Sequence, residues 1–232
     1  MRALALTAAL ALTAALALSS VAAAEPPRPT SDDLSLIGGR TVGNGEVVLS
    51  AGLGWPGFFA ELLLSPSSRF DLGIRAHVDY GALLGTATGV AGGLSVPMRL
   101  LVFARGDIDV ALAFRPFASF GEGIIVGEEG VFADDFGWSV GLEAGLRAGF
   151  HVSESATLVA GAAGLFAWTD VPDAGTGGGV VAGGAPLVGI EATFSRQTVF
   201  FAEALAGYAG APEGRFGRQM WLRVALGIGY RL

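Results

Sequence analysis

Apolar and polar residues alternate with a period of two through most of the chain after residue 45. The run Phe70–Tyr80 is the clearest case: its apolar residues share one parity, while Asp71, Arg75 and His77 belong to the other. Because successive side chains of a strand point to opposite faces, this run predicts a strand with one apolar and one charged face. The pattern returns in ten segments between residues 46 and 232 and predicts an all-β fold.

The connections between the predicted strands alternate between tight and long. The tight ones lie near residues 65–69, 105–107, 153–155 and 195–197, and the long ones near 81–89, 121–135, 170–179 and 209–218. The short turn at Pro56-Gly57 is the exception. Aromatic residues of the apolar parity gather at both ends of the strands. These features are typical of an up-and-down membrane barrel with two aromatic belts.

We therefore predict a closed antiparallel up-and-down transmembrane β-barrel of ten strands, with eight strands as the alternative. Its apolar face meets lipid and its charged face lines the lumen. An even number of strands places both termini at the same end, which we expect to be periplasmic. Closure requires the first strand, 46–53, to run antiparallel to the last, 220–232, with Glu46 and Arg231 near the seam.

Composition weighs against the other architectures. The chain is 52% hydrophobic and 15% charged, has no cysteine, and uses arginine for all fourteen basic residues. A helical membrane bundle needs about 18 consecutive apolar residues, but the uncharged stretch 80–98 is broken by glycines and Pro97. A soluble sandwich or lipocalin-like barrel would need the apolar set inside, where so many aromatic side chains overfill a small barrel.

The N-terminus carries an export signal. Arg2 precedes an Ala/Leu/Thr-rich run, and Ala22 and Ala24 occupy the small-residue positions of a cleavage site. We expect residues 1–24 to be a cleaved signal peptide, the Pro-containing segment 25–45 to be a periplasmic linker, and residues 46–232 to form the outer-membrane barrel.

The charged parity predicts a network of ion pairs in the lumen. Its proposed members are Glu61, Arg75, His77, Asp79, Arg99, Arg115, Glu143, Arg147, Glu203 and Arg223. The same parity also carries Glu46, Asp71, Asp109, His151, Glu191 and Arg231. Mixed signs in a confined space neutralise one another, so we expect a largely charge-filled lumen, with a polar pore as the alternative. Through the tight turn at 65–69, Glu61 should lie opposite Arg75 and attract it.

The alternation, the turn pattern and the C-terminal strand resemble small bacterial outer-membrane barrels of the OmpA-like and OmpW-like types. The strand 220–232 is similar to the assembly signal of that class, although it ends in Leu232 instead of phenylalanine. The resemblance implies an integral outer-membrane protein that contacts membrane lipids and lipopolysaccharide and is inserted by the barrel-assembly machinery. We expect a monomer that binds no nucleic acid.

Catalytic and metal-binding signals are weak. No G-x-S-x-G, H-E-x-x-H or P-loop spacing occurs. His77 and Asp79 share a face and form, in our interpretation, a satisfied lumen pair. The acidic loop 121–135 matches no calcium loop, so we predict neither a metal nor a cofactor. For Arg215 and Arg218 in the last loop, two interpretations stay open: contact with lipopolysaccharide phosphates, or a plain exposed loop.

Three functions remain open at this stage. The lead is a structural barrel or narrow pore, which is not an enzyme. The first alternative is an adhesin that binds through its outer loops. The less favoured alternative is an outer-membrane enzyme, either an omptin-like protease or a lipid A-modifying barrel.

Overall fold

The computed structural model describes residues 34–82, 84, 88–122, 136–171, 178–210 and 218–232. The predicted signal peptide, the start of the predicted linker, nearly all of the acidic loop 121–135, and Arg215 lie outside the described residues. The part of the chain that is described contains no helix with the length and apolar composition needed to cross a membrane.

Eleven β-segments follow one another in the described residues. They are β1 (Val47–Trp55), β2 (Gly57–Ser67), β3 (Phe70–Gly81), β4 (Thr88–Ser95), β5 (Met98–Arg105), β6 (Ile108–Glu122), β7 (Phe136–Ser153), β8 (Ala156–Asp170), β9 (Gly179–Ser195), β10 (Thr198–Gly210) and β11 (Arg218–Arg231). Segments β4 and β5 both pair with β3 and with β6, so they are two halves of one interrupted strand. The barrel therefore has ten strand positions.

The interruption between β4 and β5 lies at Val96-Pro97. Proline has no N–H to donate to the ladder, so one ladder hydrogen bond is missing at Pro97. The gap is bridged by irregular bonds: the N–H of Gly73 donates to the carbonyl of Pro97 at 2.9 Å, and the N–H of Val96 donates to the carbonyl of Pro116 at 3.0 Å. The two half-strands thus stay within the barrel wall.

The sheet closes on itself. Every pairing is antiparallel, and β1 pairs with both β2 and β11. The seam runs from Val48 opposite Arg231 to Trp55 opposite Val224. The closed ten-stranded antiparallel barrel is confirmed, and the eight-stranded alternative is wrong. Closure matters physically because it leaves no unpaired edge in the sheet.

The two faces of the strands are oriented as the alternation predicts. On β3, Ile74 is 55% exposed on the outer surface, whereas Asp71 is 1% exposed inside. Exposed aromatic side chains lie near both ends of the barrel, including Phe58 and Tyr208 at the end with the long connections and Phe150 and Tyr230 at the end with the tight turns. These are called below the long-loop end and the short-turn end. The outer surface suits a hydrocarbon layer flanked by two interfaces.

One strand is longer than its pattern indicates. Clear alternation in the eighth predicted strand begins at Val188, but β9 already begins at Gly179. Gly183 pairs with Leu165 of β8 and with Ala209 of β10, so the early part of β9 is fully laddered. Small residues on both faces hide the period there, because the side chains of glycine and alanine are too small to distinguish an apolar face from a polar one.

Candidate functional site

The short-turn end of the barrel is filled by the chain's own N-terminal segment. Residues 34–42, named the plug here, lie inside the barrel, and Leu34, Ile37 and Val42 are 5%, 6% and 0% exposed. Glycines in the wall make room for the plug. A Cβ placed on Gly229 would lie 2.5 Å from Leu36 Cδ1, and a Cβ on Gly189 would lie 2.7 Å from Ile37 Cδ1. A side chain at either position would therefore force Leu36 or Ile37 to move.

This packing differs from the linker predicted for residues 25–45. The second half of that segment packs inside the barrel instead of crossing solvent. It has no regular period of its own, and what orders it is contact with strands more than 25 residues away in the sequence. A local pattern cannot show such contacts.

Glu191 of β9 is the principal anchor of the plug. Its Oε1 accepts hydrogen bonds from the N–H groups of Leu36 at 2.5 Å and Ile37 at 2.6 Å, and its Oε2 accepts one from Ser35 Oγ at 2.9 Å. The carboxylate is 3% exposed. Hydrogen bonds to a charged acceptor are stronger than neutral ones, so this contact fixes the path of the plug's main chain.

Arg99 and Asp71 form a second anchor. The guanidinium of Arg99 donates to Asp71 Oδ2 from Nε at 2.9 Å and from Nη2 at 2.5 Å. It also donates to the carbonyls of Gly38 at 3.0 Å and Ser35 at 2.7 Å. Asp71 Oδ1 in turn accepts from the N–H of Val42 at 3.1 Å. Arg99, predicted as a member of the lumen network, thus holds the plug and does not join the network above it.

Further charged side chains complete the contacts around the plug. Arg147 Nη1 donates to the carbonyl of Ile37 at 3.0 Å, and Arg40 of the plug lies 3.3 Å from Asp109 Oδ2. At the seam, Arg231 Nε lies 3.8 Å from Glu46 Oε2, and Arg231 Nη2 lies 3.4 Å from the carbonyl of Val42. Glu46 and Arg231 are thus together near the seam, as closure predicts.

Above the plug, five residues form a continuous ion-pair chain across the lumen. Arg115 Nη2 lies 2.5 Å from Glu143 Oε2, which also accepts from Arg223 Nη1 at 2.7 Å. Arg223 Nη2 lies 3.0 Å from Glu203 Oε1, and Arg147 Nη1 lies 2.8 Å from Glu203 Oε2. The chain runs from β6 through β7, β11 and β10 and back to β7. Each of the two glutamates lies between two arginines, so its negative charge is compensated.

Glu61 and Arg75 form a separate pair on β2 and β3. They are Cα partners in the register, and Arg75 Nε donates to Glu61 Oε2. The Arg75 guanidinium also stacks on the ring of Phe59, 4.0 Å from its centroid. The position follows from the tight turn, as the sequence predicts. The N–H edge and the flat face of the Arg75 guanidinium are thus both in contact with neighbours on β2.

His77 has two polar neighbours at the same ring nitrogen. Its Nε2 lies 3.0 Å from Ser119 Oγ and 3.6 Å from Asp79 Oδ2. A catalytic triad needs the nucleophile and the carboxylate on opposite nitrogens of the imidazole, because one accepts a proton while the other orients the ring. The His77 arrangement lacks that geometry and matches the lumen pair of the sequence interpretation.

His151 belongs to a separate row of hydrogen-bonded side chains at the short-turn end. Its Nδ1 lies 2.9 Å from Thr157 Oγ1, and its Nε2 bonds Asp109 Oδ2. This order of hydroxyl, imidazole and carboxylate is formally that of a nucleophile with its base. However, Gly39 of the plug packs directly on Asp109, and Thr157 is 9% exposed. The plug thus packs on the carboxylate of this arrangement, and the hydroxyl that would have to attack a substrate is buried.

The inner wall of the barrel is not charged throughout. Strands β8 to β11 contribute buried apolar side chains to the lumen, which are Val159, Leu165, Leu187, Phe201, Leu205 and Trp221. Sequence reasoning missed this wall, although one signal was present. In β8, residues 158–167 are apolar or small on both parities, which is typical of a strand with two apolar environments.

A cavity of about 170 Å³ remains between the apolar and charged walls, and it is named the lumen cavity here. Leu36 and Ile37 of the plug line it, together with Phe59, Arg115, Leu187 and Trp221 among others. All ten lumen residues predicted from the sequence line the cavity: Glu61, Arg75, His77, Asp79, Arg99, Arg115, Glu143, Arg147, Glu203 and Arg223. Among the described residues, no three carboxylate or imidazole groups are grouped to hold a metal ion.

Comparisons with known proteins give similarity of architecture. No family model and no curated protein sequence matches the chain. The outer membrane protease OmpT from Escherichia coli superimposes with a TM-score of 0.41 and 8% identity, over 81% of this chain and 93% of that one. Ail, the attachment invasion locus protein of Yersinia pestis, superimposes with a TM-score of 0.38 and 16% identity, over 82% of this chain and 99% of that one.

The outer membrane channel DcaP of Acinetobacter baumannii has a TM-score of 0.34 and 13% identity, over 75% of this chain and 51% of that one. The chain therefore spans about half the length of that channel. The assignment rests on the molecule itself: its wall is closed, its outer surface is apolar and its charges lie inside. In architecture the chain is a closed β-barrel of ten antiparallel strands with an apolar outer surface.

Proposed function

We propose that this protein is a structural barrel of the outer membrane whose lumen is sealed at the short-turn end by its own N-terminal segment. The observation that carries the proposal is the anchoring of the plug. Glu191, Arg99, Asp71 and Arg147 all bond its main chain from different strands. An open diffusion pore would need a continuous water path, and the plug occupies that path where the strands begin and end.

The ion-pair chain supports the same function. Its side chains cross the lumen from opposite walls and meet near the middle. Fixed charges that neutralise one another leave little field to select or attract ions. With the plug in place, the barrel conducts weakly or not at all.

Planar-bilayer recording tests the seal. Gly229→Val places a side chain where Leu36 now packs, so Leu36 has to move and the seal that it forms should be loosened, while every lumen charge stays in place. Because Leu36 and Ile37 line the lumen cavity, their removal opens that cavity towards the short-turn end. We expect wild-type protein to show at most small conductance steps, and Gly229→Val to increase them severalfold.

Gly184→Val is the matched control, because Gly184 lies on the outer face and its Cβ would have only ordinary contacts. Heat-dependent migration on a gel checks that each variant has folded, and Gly189→Val serves if Gly229→Val does not fold. Wild-type conductance as large as that of the displaced variant contradicts a sealed lumen. Equally small conductance steps in the wild type and in Gly229→Val contradict the role of the plug as the seal.

We further propose that the short-turn end, with both chain termini, faces the periplasm. Bacterial outer-membrane barrels place short turns on that side and longer loops outside. An epitope tag after Leu232 should therefore escape antibody on intact cells, and one inserted at residues 172–177 should be labelled. Labelling of the C-terminal tag on intact cells would reverse the proposed orientation.

A further inference from the structure

The lumen cavity combines an apolar wall with a polar one. Leu165, Leu187 and Trp221 of β8, β9 and β11 line one side of it, and Phe59 and Phe117 line it beside the polar groups. The other side carries Arg75, His77, Asp79, Arg115 and Ser119. Small-molecule sites typically have this composition, with a mostly apolar lining and a few convergent polar groups that orient the ligand.

The size of the cavity limits what can enter it. An engineered apolar cavity of about 150 Å³ in another protein holds one benzene molecule. The lumen cavity, at about 170 Å³, therefore has room for one ring or a short aliphatic chain with a small polar group. The floor is formed by Leu36 and Ile37, so the plug gives the cavity a closed bottom.

Arg115 has N–H donors that Glu143 does not use. Its side chain is 21% exposed although it lies inside the barrel, and among the described residues it donates one hydrogen bond, to Glu143. A guanidinium carries five N–H donors in a planar fork that matches a carboxylate. At the other end of the ion-pair chain, Arg147 uses a donor on the plug carbonyl of Ile37. The described part of the chain offers no equivalent acceptor to Arg115.

The charge balance of the ion-pair chain also favours an anionic ligand. It contains three arginines and two glutamates, which leaves one positive charge in excess, and Glu143 is shared between Arg115 and Arg223. Arg75 is less available, because it is occupied by Glu61 and Phe59. Asp79 is the one carboxylate of the polar wall outside these pairs, and it opposes an anion.

We infer that the lumen cavity binds one small amphipathic carboxylate, with its apolar body against Leu187 and Trp221 and its carboxylate on Arg115. This site is independent of conductance, because it requires the plug only as a floor. The ligand class follows from the two walls: an apolar molecule would leave the remaining donors of Arg115 without an acceptor, and a cation would be repelled by the excess positive charge of the ion-pair chain.

Three probes of one shape test the inference: benzoate, its neutral relative benzamide and the cation benzylamine. Each is titrated by calorimetry into folded full-length protein in detergent micelles, with protein-free micelles as the blank. We expect saturable binding of benzoate, weaker binding of benzamide and none of benzylamine. Absence of saturable benzoate binding, or benzylamine binding as tightly, overturns the inference.

Variants locate the site. Arg115→Gln should weaken benzoate at least about tenfold, since a hydrogen bond to a charged group is lost, and leave benzamide nearly unchanged. Arg218→Gln is the matched control, because Arg218 stacks on Tyr208, 4.4 Å from the ring centroid, and does not line the cavity. Asp79→Asn should tighten benzoate severalfold, because a like charge is removed.

Leu187→Trp fills the cavity from its apolar side and keeps all the charges. It should abolish both benzoate and benzamide binding, which separates occupancy of the cavity from surface attraction to arginine. Unchanged benzoate affinity in Leu187→Trp or in Arg115→Gln contradicts the assigned site, whatever the conductance of the barrel proves to be.

Discussion

Replacing Glu143 with alanine should lower the free energy of unfolding of the barrel by about 3–5 kcal/mol. The carboxylate is 8% exposed and accepts hydrogen bonds from both Arg115 and Arg223. Its removal leaves Arg115 without a carboxylate partner inside the wall and leaves Arg223 with Glu203 alone. An uncompensated charge in a confined lumen is costly, because the wall cannot solvate it as water does.

Equilibrium urea unfolding in lipid vesicles, followed by tryptophan fluorescence, measures this loss. Glu143→Gln keeps the shape and one acceptor oxygen and should cost less than the alanine variant. Glu46→Ala is the control: this glutamate is 34% exposed and lies 3.8 Å from Arg231, so its loss should cost only about 0–1 kcal/mol. A Glu143→Ala cost no larger than that of Glu46→Ala would show that the ion-pair chain contributes little to stability.

Replacing Glu191 with alanine should release the plug while the barrel stays closed. The carboxylate accepts three hydrogen bonds from the plug, two of them from the N–H groups of Leu36 and Ile37. Loss of roughly 3 kcal/mol from these charge-assisted bonds corresponds to about a hundredfold faster hydrogen exchange at the two amides. Hydrogen-exchange mass spectrometry of the peptide that covers residues 34–42 gives the rate.

Glu61→Ala provides the matched comparison for Glu191→Ala. Glu61 is also buried, at 5% exposure, but it bonds Arg75 of the barrel wall and not the plug. Its loss should weaken the wall without a selective change at Leu36 and Ile37. If plug exchange in Glu191→Ala equals that in Glu61→Ala, the plug is held by its apolar contacts and not by the carboxylate.

The barrel could be predicted from the sequence because its signals are local. Alternation on β3 separates Ile74 from Asp71, and a tight turn fixes which residues face each other, so Glu61 and Arg75 fall together. Closure follows from the same reasoning, since a sheet with an unpaired edge cannot remain in lipid. Each of these inferences uses residues that are adjacent in sequence or a rule that applies to any barrel.

The interior could be predicted only in part, because its contacts are distant in sequence. Arg223 meets Glu143 across 80 residues, and Arg99 meets the carbonyl of Ser35 across 64. Parity places each of these side chains in the lumen, but shear and depth decide which of them meet. The plug was not predicted as a lumen element, because its partners bond mainly its main-chain groups, which every residue type carries.

The plug also constrains the order in which the barrel can assemble. Its contacts reach from Asp71 on β3 to Glu191 on β9 and Arg231 at the end of β11, the last of these 189 residues from Val42. Contacts of such long sequence separation form late, because the chain between them must first be arranged. The most N-terminal of the described residues are thus the last to find their places. Protection of the plug from proteases would mark the moment at which the wall has become complete.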